Sequence, residues 1–313
     1  MTNATETDSA QPVAPQATPA AAPLSASYRA YALGLLLLIY ILNFVDRSVI
    51  NILAEPIKND LGLADWQIGL MSGLAFAVFY TFLGLPIAQL AERRNRPLII
   101  ATALAIWSAF TALSGLAQSF TQLVLARIGV GVGEAGCTPP AHSLITDYVP
   151  RERRASALAF YSMGIPLGGL VGMAIGGIVA DAYGWRAAFF VCGLPGLAVA
   201  VLAALTLVET RAPQAKNGVG LRFDDFSTAL KALAHKRTFW LVAFAASIKA
   251  FIGYGHAPFT ASFFLRNHPE EIAALAADFG LKSIGFIGLS LGLIAGTAGA
   301  VGALLGGLIA DKF

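Results

Sequence analysis

Four charged residues lie inside stretches of the sequence that are otherwise apolar enough to cross a membrane. Asp46 and Arg47 are neighbours in one such stretch. Arg127 and Glu134 lie seven residues apart in another. A charge at the middle of a spanning helix costs about 2.5–3.5 kcal/mol, so such residues usually face a bundle interior and mark a pathway. Neighbours on a helix diverge by about 100°, so Asp46 and Arg47 need separate partners elsewhere in the chain.

The spacing of these charges predicts that they form one buried network. Arg127 and Glu134 are separated by nearly two helical turns, so both side chains project from the same face of their helix. The first stretch is predicted to run outward and the stretch with Arg127 inward, which places Asp46 between Arg127 and Glu134 in depth. With Arg47 included, the network has a formal charge of zero.

These residue types indicate proton exchange beside an anion site. Asp46 and Glu134 are expected to carry a coupled proton, because buried carboxyl groups among guanidinium groups are candidates for exchange near physiological pH. Arg47 and Arg127 would hold these acids or bind an anionic substrate group through their planar forks. A substrate anion could then compete with Glu134 for Arg127. The alternative is a static set of ion pairs that fastens two helices together.

Lys249 and His256 are also seven residues apart and share one face of a later apolar stretch. Lys249 lies near mid-depth, where an unpaired ammonium group favours a cavity that faces an anion. We therefore add Lys249 and His256 to the predicted substrate-binding network. For His256, which lies near Pro258 and the outer end, a satisfied polar residue of the helix core is the alternative.

The composition is that of an integral membrane protein. Hydrophobic residues make up 57% of the chain and charged residues 12%, with a mean hydropathy of +0.69, whereas soluble domains carry about 25% charged residues. A net charge of +3 is too small to indicate nucleic-acid binding. Cys137 and Cys192 lie in apolar runs without metal-site spacing, and no nucleophile–base set is evident. We expect no enzyme activity, no catalytic residue, no cofactor and no metal.

Eight stretches reach the roughly 20 residues that span a hydrocarbon core of about 30 Å. Their approximate limits are 31–53, 67–90, 98–120, 123–148, 155–181, 186–208, 239–265 and 284–309. The loops after the second, fourth and sixth stretches carry twelve Lys or Arg residues, and the alternate loops carry four. By the positive-inside rule, the richer loops and the N-terminus face the cytoplasm. This predicts a multi-pass protein of the inner (plasma) membrane.

Prolines and glycines predict local features of these helices. Pro139 and Pro140 interrupt the hydrogen-bond ladder, so a kink is expected midway along the fourth stretch. Glycines spaced four residues apart let helix backbones approach closely, at 168, 172 and 176 and again at 288, 292 and 296. Close packing is the simpler interpretation, and sliding contacts are the alternative. Pro269 begins a short outer helical pattern that Gly280 can end.

A short acid–base motif occurs twice. The copies are Ala88–Arg96 (AQLAERRNR) and Gly307–Lys312 (GLIADK), and the acid–base pair recurs 219 residues later. Both copies follow an even-numbered stretch, as two parallel six-helix halves would produce. These loops resemble the signature of the major facilitator superfamily, with departures at Ala88, Glu92, Asn95 and Pro97. The sequences NFVDR at 43–47 and RIGVGVGEA at 127–135 resemble its Spinster-like branch.

The resemblance implies an all-α integral membrane protein with the major facilitator superfamily fold, of which this chain contains eight of twelve expected transmembrane helices. The chain would then divide into four parts. These are a disordered cytoplasmic tail (1–27), a six-helix bundle (28–210), a cytoplasmic linker with an amphipathic helix (211–237), and the first two helices of a second, incomplete bundle (238–313).

The same resemblance implies a proton-coupled secondary active transporter that works by alternating access. Its expected substrate is an amphipathic anion such as a lysophospholipid or a sphingolipid phosphate, and its other partners are protons and membrane lipids. We expect a monomer that does not bind nucleic acid. A small organic anion:proton symporter and a non-transporting membrane sensor are the alternatives.

The resemblance also assigns a cytoplasmic gate. Glu92, Arg93 and Asp311 belong to the repeated motif and are expected to latch the two halves in one conformation. Asp147 and Arg151 lie on the same predicted side of the membrane and are expected to join them. A solvated loop without a latch is the alternative.

Overall fold

The computed structural model describes residues 24–211 and 233–310, without the side chains of residues 92, 93, 303, 304 and 306–310. Most of the predicted N-terminal tail and most of the predicted linker, including its amphipathic helix, lie outside the described residues. All regular structure in the described ranges is helical. We call residues 26–206 the first half and residues 237–310 the second half.

The first span is α1 (Ala26–Leu61), which begins two residues before the predicted bundle boundary. The Ser25 side chain accepts a hydrogen bond from the Tyr28 backbone and caps its start. Gly62, with φ of 62°, ends it in the left-handed conformation that glycine adopts without strain. The second span combines α2 (Asp65–Gly69), a π-helical turn (Leu70–Leu74) and α3 (Ala75–Arg93).

The fourth predicted span is broken rather than kinked. It consists of α5 (Phe120–Glu134) and α6 (Thr138–Tyr148), separated by a turn at residues 135–137. Proline lacks a backbone N–H and is tolerated in the first turn of a helix, so Pro139 and Pro140 begin a new helix instead of bending the old one. The break places Glu134 at the end of α5.

The remaining first-half helices are α4 (Arg96–Ser114), α7 (Arg154–Ser162), α8 (Gly164–Tyr183) and α9 (Trp185–Thr206), with a 3-10 turn at Arg151–Arg153. The second half contains α10 (Arg237–Asn267), the short α11 (Pro269–Asp278) and α12 (Ser283–Ala310). Among the described residues, seven helical segments are long and apolar enough to cross a membrane. Together, α5 and α6 cover the fourth predicted span. The seven long segments and this pair of helices account for the eight predicted spans.

Glycines allow α1 and α8 to pack backbone against backbone. A Cβ atom added at Gly172 would lie 2.7 Å from the Val45 carbonyl oxygen, and one at Gly164 would lie 2.8 Å from the Tyr40 ring. Real Cβ atoms do not approach other atoms so closely. Small residues at such contacts hold helices together in lipid, where hydrophobicity alone does not. This packing fixes the position of Asp46 and Arg47 along the bundle axis, relative to the other helices of the first half.

A second glycine contact joins the two halves. A Cβ atom added at Gly177 would lie 2.7 Å from the Ile284 carbonyl oxygen, and one at Gly292 would lie 2.9 Å from the Leu170 carbonyl oxygen. The contact runs along α8 and α12. At its outer end, the Asp181 carboxylate accepts a hydrogen bond from the Gly285 backbone at 2.5 Å. Both sets of predicted glycines therefore pack closely.

Arg96 fastens the end of the first half that is predicted to face the cytoplasm. Its side chain is completely buried, and its Nη1 lies 2.6 Å from the Asp147 carboxylate and 2.9 Å from the Ser143 hydroxyl. Its Nη2 forms an ion pair with Glu209, which also accepts a hydrogen bond from the Arg96 backbone at 2.8 Å. Burial raises the pKa of the Glu209 carboxyl, but hydrogen bonds from Arg96 outweigh it and keep that pKa below its ordinary value.

We predict that Gly172→Ala lowers stability by about 1–3 kcal/mol, because the added methyl group must push α1 away from α8. Thermal unfolding in detergent, followed by tryptophan fluorescence, measures the effect. Gly34→Ala is the matched control, since nothing lies within 4 Å of a Cβ atom there. Equal melting temperatures for the two variants would contradict the close contact.

We predict that Glu209→Gln lowers the melting temperature at neutral pH and that the loss disappears in acid. Because the folded-state pKa of Glu209 lies below its ordinary value of about 4.3, its stabilisation is complete above that value. It is lost as the pH falls through the lower folded-state pKa. Unfolding curves between about pH 3 and pH 7 test this, with the exposed Glu152→Gln as the control. A pH-independent difference would rule out the ionised carboxylate as the cause.

Candidate functional site

A cavity of about 520 Å³ lies between the two halves. Its walls come from α1, the π-helical turn, α3, α5 and α8 of the first half and from α10 of the second. The lining residues are Phe44, Arg47, Ser48, Asn51, Ser72, Phe76, Arg127, Ile165, Ala246, Lys249, Ala250, Gly253, Tyr254 and Ala257. A volume of this size lies within the range of small-molecule sites. Three of these side chains are cationic, and none is acidic.

The strongest interaction at the cavity wall is an ion pair between α1 and α5. The Arg47 Nε lies 2.5 Å from the Glu134 Oε2. The Glu134 side chain is fully buried, whereas 13% of the Arg47 side chain is exposed and faces the cavity. Glu134 itself does not line the cavity. The guanidinium group therefore stands between the buried carboxylate and any occupant.

Three aromatic rings surround the Arg47 guanidinium group. Its central carbon lies 5.1 Å from the ring centre of Phe44, 4.8 Å from that of Phe76 and 4.7 Å from that of Tyr80. Rings at this distance attract a cation through their negative faces and limit its motion. Arg47 is thus held in place by contacts other than its ion pair with Glu134.

The structure shows which guanidinium group pairs with Glu134. The predicted network let Arg47 or Arg127 hold this acid, and the ion pair of Glu134 is with Arg47. Arg127 attracts Glu134 electrostatically without forming an ion pair with it. Arg127 Nη1 donates instead to the backbone carbonyl of Asp46 at 3.4 Å. The four predicted charges do lie around one site.

Several polar atoms of this site are buried without a hydrogen-bond partner among the described residues. They include Oδ1 of Asp46, Oε1 of Glu134, Nε of Arg127 and both side-chain polar atoms of Asn43. Asp46 and Arg127 are each 1% exposed. Leaving a buried polar atom unpaired costs about 1–3 kcal/mol, more for charged groups. Each acid nevertheless has polar neighbours, Thr111 and Trp107 beside Asp46 and Asn43 beside Glu134.

The two predicted residues of α10 differ in position. Lys249 lines the cavity opposite Arg127, as expected. The His256 side chain is exposed, and its Nδ1 lies 2.9 Å from the Gly253 carbonyl oxygen of the same helix. His256 is not among the lining residues of the cavity. Tyr254, which sequence reasoning did not select, does line it.

The predicted inner gate is only partly within the described structure. Asp147 pairs with Arg96 and Arg211, so in this conformation it fastens parts of the first half to each other. Arg151 is exposed and has no ion pair among the described residues. The side chains of Glu92 and Arg93, and the whole of Asp311, lie outside the described residues. The sequence contained no signal that Arg96 would be the buried centre of this region.

A cluster of ion pairs at the outer end was also missed. Arg266, near the end of α10, lies 2.7 Å from Glu55 of α1 and 2.8 Å from Asp65 of α2. Lys58 lies 2.6 Å from Asp65 and balances the second acid. With the Asp181–Gly285 hydrogen bond, these contacts join the two halves at the end predicted to face outward. We call Arg266, Glu55 and Asp65 the outer latch.

Comparison with known proteins agrees with this architecture. The chain is 37% identical to a bacterial homologue of the human lysosomal transporter Spinster, solved in an inward-facing and unoccupied conformation. The two structures superpose with a TM-score of 0.77, over 93% of this chain and 64% of the homologue.

Two curated relatives extend the comparison. The chain is 34% identical over 282 residues to an MFS-type efflux pump of Mycolicibacterium smegmatis, which covers 90% of this chain and 62% of the pump. It is 29% identical over 291 residues to a probable L-galactonate transporter of Escherichia coli, covering 90% of this chain and 61% of that protein. The chain thus spans somewhat less than two thirds of the length of these relatives. Residues 36–313 match the sequence profile of the Major Facilitator Superfamily, and with the helical architecture this shows that the chain belongs to that superfamily.

Proposed function

We propose that this protein is a proton-coupled secondary active transporter of an anion and that it works by alternating access as a monomer in the lipid bilayer. The observation that carries the proposal is the charge of the cavity wall. Arg47, Arg127 and Lys249 line it, and no carboxylate does among the described residues. Cationic groups at the wall of a low-dielectric cavity attract an anion strongly, because water screens them poorly. The buried acids Asp46 and Glu134 do not line the cavity, so an occupant would not meet them directly.

The rest of the lining favours an amphipathic anion such as a lysophospholipid or a sphingolipid phosphate. Phe44, Phe76 and Ile165 give the cavity a large apolar wall beside the cationic groups. Such a wall suits an acyl chain, and guanidinium groups suit a phosphate. A small organic anion is the second candidate, because a relative is named as a probable L-galactonate transporter. Ser48, Asn51 and Ser72 would serve the hydroxyl groups of such a substrate.

The position of Arg47 supports the proposed proton coupling. An anion that enters the cavity draws the guanidinium group away from Glu134, because one cation cannot serve two anions equally. Glu134 would then be a buried carboxylate without its partner, which is costly unless it takes up a proton. Asp46 lies on the same helix as Arg47 and is a buried carboxyl group with no ion pair among the described residues, so it is the second carrier. Substrate and proton therefore bind together.

Alternating access requires that the contacts between the halves can be exchanged. The outer latch consists of side chains that are partly exposed, and such ion pairs are individually weak. They can therefore open without a large energetic cost. A non-transporting sensor would have no need for a latch of this kind, and this favours transport over sensing.

We predict that Asp46→Asn abolishes proton-driven uptake while leaving exchange or binding of the anion detectable. The amide cannot carry the proton, but it leaves the cationic wall of the cavity in place. The measurement is uptake into proteoliposomes with and without a pH gradient, using L-galactonate and a radiolabelled lysophosphatidate. Asp60→Asn is the matched control, since Asp60 lies on the same helix but pairs with Arg186 away from the cavity. Normal proton-driven uptake by Asp46→Asn would refute the assignment.

We predict that Arg266→Gln increases the population of outward-open molecules a few-fold, since each lost exposed ion pair contributes about 0.2–1 kcal/mol. Electron-resonance distances between spin labels at Thr121 of α5 and Leu275 of α11 report the opening. Arg186→Gln breaks an outer ion pair within the first half and serves as the control. If both variants keep the wild-type distance distribution, the outer latch does not hold the halves together.

A further inference from the structure

Tyr254 makes the contact that links the second half to the charged site. The Arg47 Nη1 donates a hydrogen bond to the Tyr254 hydroxyl oxygen at 3.3 Å. Other bonded contacts between the halves lie at the outer end, at the outer latch and at Asp181. Among the described residues, this is the hydrogen bond that crosses between the halves inside the cavity. Arg47 therefore has one polar partner in each half, Glu134 and Tyr254.

The direction of this bond leaves the Tyr254 hydroxyl with an unused donor. Guanidinium groups only donate, so the Tyr254 oxygen must be the acceptor. A phenol also has one O–H to give. No acceptor for that hydrogen is found among the described residues, and Tyr254, which lines the cavity, is 51% exposed. The O–H is free to point into the cavity, where Lys249 and Arg127 would hold the negative group of a substrate.

We infer that Tyr254 is a substrate-binding residue that donates a hydrogen bond to an oxygen of the bound anion while accepting one from Arg47. The inference rests on the proposed function and adds a specific residue to it. The chemical class it selects is an oxyanion, carboxylate or phosphate, rather than a halide or a neutral lipid. When the Tyr254 hydroxyl donates a hydrogen bond to the substrate, its oxygen becomes a better acceptor for the hydrogen bond from Arg47. The reason is that hydrogen bonds in a chain polarise one another.

This arrangement connects substrate binding to both halves. The anion would be held by Lys249 and Tyr254 on α10 and by Arg127 on α5. Through Tyr254 it would also act on Arg47, and through Arg47 on Glu134. Movement of α10 during the transport cycle would therefore break or form the same chain of bonds that holds the acid.

The test compares Tyr254→Phe with Tyr80→Phe. Both variants remove one phenolic oxygen and keep an aromatic ring beside Arg47. The Tyr80 ring lies over the same guanidinium group at 4.7 Å, but Tyr80 forms no hydrogen bond with it. The measurement is equilibrium binding of radiolabelled L-galactonate and, separately, of radiolabelled lysophosphatidate to the intact protein in nanodiscs, with empty nanodiscs as background. Thermal unfolding of both variants checks that they are folded.

We expect Tyr254→Phe to weaken binding of whichever probe the wild type binds by roughly tenfold or more, the effect of losing a hydrogen bond to a charged group. Tyr80→Phe should change it less than about twofold, because it loses no such bond. Unchanged binding by Tyr254→Phe, or an equal loss in both variants, overturns the assignment of Tyr254 and leaves the proposed function intact. A wild-type protein that binds neither probe overturns the proposed substrate class and the Tyr254 assignment with it.

Discussion

The ion pair between Arg47 and Glu134 is the interaction on which the rest of the structure depends. Glu134 is completely buried, and its pairing at 2.5 Å requires that α1 and α5 meet at one height. Breaking such a buried pair by removing one partner typically costs about 3–5 kcal/mol. A membrane protein can retain so expensive an arrangement when it uses the pair, and here the guanidinium group also faces the cavity.

The local structure around the pair supports this geometry. The chain breaks at residues 135–137, which puts Glu134 at the end of α5 rather than in the middle of a long helix. Gly172 lets α8 press against α1 at Val45, next to Asp46 and Arg47. The π-helical turn at Leu70–Leu74 brings Ser72 into the cavity wall, and such turns are frequent at functional sites. Packing and helix breaks thus position the charges, while the charges themselves contribute little net stability.

Much of the fold could be predicted from the sequence, because the helices and their close contacts depend on patterns that can be read along the chain. Length and hydropathy located the eight spans, and glycine spacing located the contacts along α8 and α12. The free-energy cost of placing a charge inside a membrane span identified four residues of one site, which are Asp46, Arg47, Arg127 and Glu134. The sequence left open whether Arg47 or Arg127 would pair with Glu134, and the ion pair is with Arg47. That choice depends on how α1 is rotated and on side-chain reach, which spacing along one helix does not encode. Arg96, Tyr254 and Arg266 were missed for the same reason, because their roles come from partners distant in sequence.

The central claim is that an anion entering the cavity causes Glu134 or Asp46 to take up a proton. Its most direct test is proton uptake by the purified protein in weakly buffered detergent solution, recorded with a pH indicator as L-galactonate or lysophosphatidate is added. The account predicts that saturating binding removes protons from solution, in wild type and in the Asp60→Asn variant, and that Asp46→Asn with Glu134→Gln abolishes this uptake. Saturable anion binding without proton uptake by the wild type would contradict it.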